Sequence, residues 1–387
     1  MKTKTAIICA LIAIVAVLAI VAGVVLVLHH NSDDEVDPAV ALQTAREAYR
    51  VYATKYSSTT YMSEYYLYVA AENCVVSIRN GQTQQVYSSR EEAIAAIFEN
   101  PDEVVAVDTG DGKLFACTIP PKTVEDDTLS VLMIGNSFSQ DTIEYMGDIA
   151  KDLGMSDFIF ANAHIGGCSL KMHADSIKAH KKNYCYDVNE NGEWRKDGRM
   201  MVLEDVLRQR QWDYISIQQV SGLSGVSSTY NQDLEYLLSV LQALTPDATV
   251  IWNMTWAYQQ DSTHPDFSRY GCDQKTMYND ILTAVQEKIL VNDRIALVNP
   301  AGTAVQNART SVMGDTFTRD GYHLHLKYGR FLAGLMMIKT ITDKDISGLT
   351  PALAAKVGIA GKQMQIAIEA VNAAAETPFA VTESTYK

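Results

Sequence analysis

The sequence predicts a three-layer α/β domain with a parallel sheet of about five strands, preceded by a small N-terminal α+β domain. Beyond Thr128, short apolar runs alternate with segments whose apolar residues recur three and four positions apart, as on one face of a helix. Parallel strands need crossover connections, which cover both faces of the sheet with helices. Apolar residues make up 47% of the 387 residues and charged residues 20%, which is ordinary for a globular protein.

Residues 1–30 are predicted to be a membrane anchor or signal segment. Two lysines precede a run of 24 uncharged residues, 5–28. Such a run is long enough to cross the roughly 30 Å of a bilayer's hydrocarbon core. Acidic residues follow it, so the positive-inside rule places the rest of the chain outside the cytosol. An uncleaved anchor is the preferred interpretation, and cleavage after Ala19 or Gly23, which would give a secreted protein, is the alternative.

Residues 31–40 are expected to be a polar stalk, and residues 41–121 the small α+β domain. We expect helices at Leu42 to Tyr52 and at Ala93 to Phe98, with strands between and after them. Asn80-Gly81 separates two of those strands as a hairpin signal. This unit gathers no catalytic residue types, so it is interpreted as a spacer or packing domain, with a substrate-binding module as the alternative.

Charge and cysteine content exclude several function classes. The 32 basic and 46 acidic residues give a net charge of −14. An acidic surface repels a polyanion, so nucleic acid is not expected as a partner. The six cysteines show no CxxC or Cys/His spacing typical of zinc sites, so neither a metal nor a cofactor is expected. Cys74 and Cys117 are a candidate disulfide pair, and the odd number of cysteines outside the apolar run leaves one thiol free or intermolecular.

The domain at 128–387 contains the predicted parallel sheet and ends in a helical segment. Its five predicted strands are apolar runs: Leu129 to Ile134, Phe158 to Ala163, Tyr214 to Val220, Thr249 to Trp256 and Ile295 to Val298. Helical periodicity lies between them, for example at 143–153 and 234–241. Sites in such sheets form at the carboxyl ends of the strands, so the polar residues there are the candidates for function.

Three of the strands are followed by residues suited to acyl transfer. Ser137 follows the first strand on a turn into a helix, where free backbone N–H groups favour a developing anion; a helix-capping serine is the alternative. Gly166-Gly167 follows the second strand and can direct a backbone N–H into a cavity. Gln219 follows the third strand and carries an amide able to donate a hydrogen bond.

A loop near the C-terminus supplies a carboxylate and a base. In Asp320-Gly-Tyr-His323, the carboxylate can hold the imidazole in one tautomer while its other nitrogen takes a proton from a serine. His325 lies five residues from Asp320 and is the less favoured base. A metal bound by Asp320, His323 and His325 is the alternative use of this loop.

In this order, the residues resemble the SGNH, or GDSL-like, hydrolase superfamily. The resemblance covers roughly Leu129 to Thr342 and lies in four blocks: Ile134-Gly-Asn-Ser-Phe-Ser139, Gly166-Gly-Cys-Ser-Leu170, Trp212-Asp-Tyr-Ile-Ser-Ile-Gln-Gln219 and Asp320-Gly-Tyr-His323. Two further segments are similar to a little-studied bacterial branch that resembles carbohydrate acetylesterases: Trp256-Ala-Tyr258 and Pro300-Ala-Gly-Thr-Ala-Val-Gln-Asn-Ala-Arg309.

The resemblance implies a flavodoxin-like sandwich and metal-free hydrolysis of esters, often of acetyl groups on carbohydrate. Ser137 would be the nucleophile, His323 the base and Asp320 the group that orients it. The backbone N–H groups of Ser137 and Gly167 would form the oxyanion hole. The family's asparagine after the third strand is absent here, and two amides are the candidates for its role, Gln219 first and Asn253 second.

The function expected from the sequence is an outward-facing, membrane-anchored serine esterase that removes O-acyl, above all O-acetyl, groups from carbohydrate. The alternative is a non-catalytic glycan-binding surface protein built on a degenerate hydrolase domain. Three aromatic residues are candidates for stacking on sugar, with packing as their alternative role: Trp194, Trp256 and Tyr258. Arg309 would contact an acidic group of the substrate, or else form a structural ion pair.

Overall fold

A computed structural model divides the chain into two units between Thr118 and Ile119. In the first unit, the structure describes the backbone of five strands. In the second unit, it describes residues 128–387 except His180 and Pro246. The predicted membrane segment, the stalk and both N-terminal helices lie outside the described residues. Among the residues that the structure describes, no helix is long and apolar enough to cross a membrane.

The first unit contains an antiparallel sheet in the order β3-β2-β1-β5-β4. Its strands are β1 (Glu64–Val69), β2 (Cys74–Arg79), β3 (Gln82–Tyr87), β4 (Val104–Asp108) and β5 (Lys113–Thr118). Arg79 pairs with Gln82, so the Asn80-Gly81 hairpin signal falls between the paired ends of two strands.

The strand register argues against a disulfide between Cys74 and Cys117. The two strands that carry these residues flank β1 on opposite sides. Cys74 lies opposite Val69, at the last residue of β1. Cys117 lies three residues beyond Leu114, which is opposite Tyr66, and so toward the other end of β1. Cα atoms more than about 7 Å apart cannot be bridged.

The second unit is built around one sheet in the order β10-β8-β7-β6-β11-β12-β13, with β9 paired to β8. Its strands are β6 (Leu129–Gly135), β7 (Phe158–His164), β8 (Tyr184–Glu190), β9 (Glu193–Arg195), β10 (Met200–Met201), β11 (Tyr214–Ile217), β12 (Thr249–Asn253) and β13 (Leu297–Asn299). The five strands from β7 to β13 in this order are parallel. Their order along the sheet, second-first-third-fourth-fifth, is that of flavodoxin-like folds, which confirms the predicted fold class.

Helices cover both faces of this sheet in two groups. They are α1 (Ser137–Ile143), α2 (Met146–Asp152), α3 (Leu170–Lys178), α4 (Leu203–Leu207), α5 (Gln232–Leu244), α6 (Gln274–Lys288), α7 (Ala301–Arg309), α8 (Tyr328–Thr342), α9 (Pro351–Val357) and α10 (Gly361–Glu376). Helices α1, α2 and α7 to α10 pack on one another, and α3, α4 and α5 form the other group. Residues 131–134 of β6 are therefore completely buried, whichever face they point to.

The antiparallel hairpin at the edge of the sheet is the main feature that the sequence analysis missed. Strand β8 pairs antiparallel with β7 and turns back into β9. The turn is Asn191-Gly192, and both residues have positive φ, at 49° and 84°. Asn-Gly is the usual pair for a two-residue hairpin turn, so this dipeptide was the available signal.

Candidate active site

Ser137 is the first residue of α1, directly above the carboxyl end of β6. Asn136 caps the helix by accepting a 2.9 Å hydrogen bond from the Phe138 N–H. Gly135 makes the turn into the helix tight, because a Cβ there would lie 2.8 Å from Ser139 Oγ and 3.1 Å from Gln218 Cδ. The sequence thus places a serine hydroxyl at the start of a helix, above the middle of the sheet.

His323 and Asp320 form a continuous hydrogen-bonded line with this serine. His323 Nε2 lies 2.8 Å from Ser137 Oγ, and His323 Nδ1 lies 2.7 Å from Asp320 Oδ2. The other carboxylate oxygen of Asp320 accepts the His323 backbone N–H at 2.8 Å. The structure therefore brings together the serine, histidine and aspartate singled out in the sequence, across 186 residues of chain.

The environment of Asp320 favours its ionised form. Burial acts to raise the pKa of this carboxyl, but hydrogen bonds from the His323 ring and backbone outweigh it and hold the pKa below its usual range. A carboxylate at this position fixes the proton of the histidine on Nδ1 and leaves Nε2 to accept the serine proton.

Two hydrogen bonds from a neighbouring segment hold the backbone of the loop that carries His323. Trp256 Nε1 donates to the Tyr322 carbonyl at 2.8 Å, and the Gln259 N–H donates to the Gly321 carbonyl at 2.8 Å. The Trp256 ring also stacks on Phe138 of α1, with centroids 4.2 Å apart. Trp256 therefore connects the loop that carries His323 with the helix that carries Ser137.

Asp141, one turn after Ser137 on α1, is a fully buried carboxylate bound by two arginines. Arg319 Nη1 donates to its two oxygens at 3.1 and 3.2 Å, and Arg330 Nε donates at 2.8 Å. The backbone N–H of Leu324 donates to it as well, at 2.8 Å. Because Arg319 and Leu324 flank the Asp320 to His323 segment, Asp141 fastens both ends of that segment to the helix of Ser137.

A chain of buried amides runs across the carboxyl ends of four parallel strands. Gln218 Nε2 donates to Asn136 Oδ1 at 2.9 Å, and Asn253 Nδ2 donates to Gln218 Oε1 at 2.8 Å. Asn299 Nδ2 then donates to Asn253 Oδ1 at 2.7 Å. Asn253, the second choice for the oxyanion hole, is thus buried in this chain and separated from Ser137 by β11, so that assignment was wrong.

Gln219, the first choice for the oxyanion donor, is also engaged elsewhere. Its Oε1 accepts the N–H groups of Leu170 at 3.1 Å and Val220 at 2.9 Å, and its Nε2 donates to Thr229 Oγ1 at 3.1 Å. The residue is buried. Its amide braces the loop after β11 against the start of α3, and this replaces the predicted contact with an oxyanion.

Gly167 lies on the exposed loop between β7 and α3, at the same end of the sheet as Ser137. Its φ of +63° belongs to the left-handed region that favours glycine. The loop is tied to the serine turn, because Asn136 Nδ2 donates to the Cys168 carbonyl at 3.0 Å. The loop of Gly167 is therefore bonded to the turn that carries Ser137.

Three predicted substrate contacts prove to be buried packing residues. Trp256 and Tyr258 have no exposed surface, and the Tyr258 hydroxyl lies 2.9 Å from Ser221 Oγ. Arg309 is buried against Asp315, with a 2.8 Å ion pair. These assignments were wrong, because the aromatic and cationic side chains point into the protein. Trp194 on β9 is half-buried, with the Lys196 ammonium 4.1 Å from its ring centre.

His325 has a structural role in this loop. Its Nδ1 accepts the Lys327 N–H at 3.2 Å, and its ring stacks on Tyr328 with centroids 3.8 Å apart. In the described part of the chain, no hydrogen bond joins the His325 side chain to Ser137 or Asp320. This geometry favours His323 as the base and does not form the metal site considered for Asp320, His323 and His325.

The chain matches a known protein family and a solved structure of that family. The model of a domain of unknown function, DUF4886, matches residues 130–374. The chain belongs to the DUF4886 family. The structure of a DUF4886 family protein from Bacteroides uniformis is similar to it, with 36% sequence identity and a TM-score of 0.63, over 67% of this chain and 99% of that one. No protein with a curated description matches the chain.

Two further solved structures, from outside this family by name, are less similar to the chain. A protein from Slackia heliotrinireducens, described as a candidate SGNH hydrolase, is 20% identical with a TM-score of 0.37, over 55% of this chain and 99% of that one. An acetylxylan esterase from Geobacillus stearothermophilus is 9% identical with a TM-score of 0.35, over 55% and 93%.

The sequence analysis missed Asp141 as a member of the site in this DUF4886 protein. Its signal was available, since an aspartate four residues after Ser137 lies on the same face of the helix. Nothing in the sequence paired it with Arg319 and Arg330, which lie 178 and 189 residues further along the chain.

Proposed function

We propose that this DUF4886 protein is a serine esterase that hydrolyses O-acyl esters, with O-acetyl groups on carbohydrate as its substrate class. The observation that carries the proposal is the pair of hydrogen bonds that join Ser137 to His323 and His323 to Asp320, at 2.8 and 2.7 Å. A serine, a base and an orienting carboxylate in this order are the parts that acyl transfer through a covalent intermediate requires.

Ser137 Oγ attacks the carbonyl carbon of the acyl group as His323 Nε2 takes the serine proton. Asp320 stabilises the resulting imidazolium through Nδ1. The tetrahedral intermediate collapses when His323 returns the proton to the leaving alcohol oxygen, which breaks the ester bond and leaves an acyl-serine. Water then attacks this second ester with the same histidine as base, and the carboxylic acid is released.

The negative oxygen of the tetrahedral intermediate needs hydrogen-bond donors, and the backbone supplies two. The N–H of Ser137 has no partner within its helix, because the first N–H groups of a helix never do. The N–H of Gly167 is the second donor. Donors of this kind typically contribute about 10² to 10³ in kcat each. Gln219 contributes indirectly, by bracing the start of α3 behind the loop of Gly167.

Aromatic rings beside His323 are the contact that we assign to the sugar. Tyr322 is half-buried, and its ring centroid lies 4.1 Å from that of His323 and 4.6 Å from that of the half-buried His264. Replacing Tyr322 by leucine is expected to raise KM for an acetylated oligosaccharide by about tenfold and to leave KM for a small acetyl ester nearly unchanged. Equal changes for both substrates would remove the sugar contact from the proposal.

A fluorophosphonate probe tests the proposed nucleophile directly. We expect covalent labelling of the folded protein at Ser137, and none after Ser137→Ala. Acetate release from a panel of acetylated polysaccharides then identifies the substrate. Folded protein that resists the probe but binds glycan would instead support the non-catalytic glycan-binding alternative.

The proposed location is outside the cytosol, at a membrane, because the uncharged run 5–28 follows two lysines. Fractionation of cells that express the full chain, followed by external protease, tests this proposal. Recovery in the membrane fraction with protease sensitivity supports the anchor, release into the medium supports cleavage after Ala19 or Gly23, and recovery in the cytosol contradicts both.

A further inference from the structure

A second group of reactive side chains lies where β8 pairs with β7, outside the triad. His164 is the last residue of β7, and it is paired directly with Cys185 on β8. The next pair on the same face is Asn162 with Asp187. Since residues two apart in a strand point the same way, all four side chains lie on one face of the sheet. The backbone register thus holds imidazole, thiol, carboxylate and amide together on rigid strands.

The distances suit a metal ion. One ligand atom from each of His164, Cys185 and Asp187 lies within 4.8 Å of the others. His164 Nδ1 and Asp187 Oδ2 are 3.9 Å apart. Ligand atoms on a tetrahedral Zn²⁺ with bonds of about 2.1 Å are separated by about 3.4 Å. Small side-chain rotations are therefore enough to close this group around one ion.

The group is rich in electron-pair donors and is largely buried. His164 and Asp187 are each 8% exposed, and Asn162 is fully buried. The buried Asn162 Oδ1 has no hydrogen-bond partner. A buried acceptor without a donor is costly, and a bound cation would satisfy it.

Two charged side chains near this group affect a bound cation in opposite ways. The charge of Lys196 acts on both His164 and Asp187. The Lys196 ammonium would repel a metal ion. It is bound to the Glu144 carboxylate at 3.0 and 3.1 Å, which offsets much of its charge.

We propose that His164, Cys185 and Asp187 bind one Zn²⁺ ion. A mixed set of nitrogen, thiolate and carboxylate ligands suits zinc better than calcium or magnesium, which prefer oxygen alone. A half-turn of the Asn162 amide would release its 3.2 Å contact with His164 Nδ1 and offer its oxygen as the fourth ligand. The ion would fasten β8 to β7 just before the loop of Gly167, and this role is separate from ester hydrolysis.

Cobalt titration of the reduced full chain, after metal removal with a chelator, tests the proposal. We expect one Co²⁺ per chain, with a thiolate-to-cobalt charge-transfer band in the near ultraviolet that added Zn²⁺ abolishes. Cys185→Ser should remove the band, and His164→Gln or Asp187→Asn should weaken binding by more than about tenfold. Cys272→Ser, which removes an exposed free thiol, is the matched control and should keep the band.

Thermal unfolding gives a second readout that is independent of activity. At Zn²⁺ about a hundredfold above Kd, the melting temperature should rise by about 5 to 10 °C in the wild type and in Cys272→Ser, but not in Cys185→Ser. Ser137→Ala should bind metal normally, so the metal site and the esterase can fail separately. A band that survives Cys185→Ser, or the absence of stoichiometric binding at micromolar metal, overturns the proposal.

Discussion

Replacing Asp141 with asparagine tests whether this buried carboxylate holds the loop of His323 on helix α1, which begins at Ser137. The substitution keeps the shape of the side chain and one oxygen for the Leu324 N–H. It removes the negative charge that faces Arg319 and Arg330. No cavity is created, so the change in the free energy of unfolding reports mainly on the lost ion pairs.

The structure sets the expected magnitude. Removing one partner of a buried ion pair costs about 3 to 5 kcal/mol, because the other charge is left without compensation. The side chains of Arg319 and Arg330 remain 29% and 19% exposed, so water partly screens them, and we expect the lower end, about 3 kcal/mol. For a unit of roughly this size, that loss corresponds to a melting temperature lower by about 6 to 12 °C.

Two measurements read the effect. Circular dichroism gives the melting temperature, and steady-state hydrolysis of a small acetyl ester well below the transition gives kcat and KM. We expect kcat to fall by about tenfold or more with little change in KM, because the Ser137 to His323 geometry loosens while the substrate surface remains.

Glu144→Gln is the matched control. Glu144 also pairs with Arg330, at 3.3 Å, but its side chain is 27% exposed. A pair that water screens in this way is worth about 1 kcal/mol or less. If Asp141→Asn and Glu144→Gln lowered the melting temperature and kcat equally, the reasoning from burial and loop positioning would be refuted.

The remaining predictions concern the triad and the pH dependence of stability. Ser137→Ala and His323→Ala should each lower hydrolysis of a small acetyl ester by about 10³-fold or more without unfolding, and the double variant should be little worse, which steady-state kinetics checks; an active Ser137→Ala removes the mechanism. By the same assay, Asp320→Asn should cost less than His323→Ala, and His325→Ala should keep most turnover; the reverse order for the two histidines would contradict the assignment of the base. Burial lowers the pKa of His173 to about 4, below its ordinary 6.5, so stability is lost as pH falls from about 6.5 to 4. Denaturant unfolding at these two pH values measures the loss, and His173→Gln should remove up to about 3 kcal/mol of it. A variant that loses as much free energy of unfolding as the wild type would contradict this prediction.

The order of functional residues along the chain was predictable because each lies next to an element with a clear local pattern. Ser137 follows an apolar run and opens a helix, and its neighbours carry the helix-capping signal. Asp320 and His323 are three residues apart, so a single turn can join them whatever the rest of the fold does. The contact between Ser137 and His323 followed only from the resemblance, since the strand end before Ser137 and the loop that carries His323 are far apart in sequence.

The oxyanion donors and substrate contacts were harder to assign. An amide at a strand end looks the same in sequence whether it faces the cleft or a neighbouring amide. Gln219 and Asn253 turned out to bond within the protein. For Trp256 and Tyr258 the sequence left sugar stacking and packing both open, and the structure buries both side chains. The direction in which a side chain points at a strand end depends on the neighbouring loops, which local patterns do not encode.

By itself, the sequence determined the three-layer α/β class, the five parallel strands and the chemical types gathered at their carboxyl ends, because apolar periodicity and short turns are local properties. The tertiary structure decided which polar groups meet. Asp141 reaches two arginines more than 170 residues away, and His164 meets Cys185 and Asp187 only through the antiparallel register of β7 and β8. Burial and strand pairing depend on the whole chain. They decide whether a charged side chain is held in place by partners or surrounded by water.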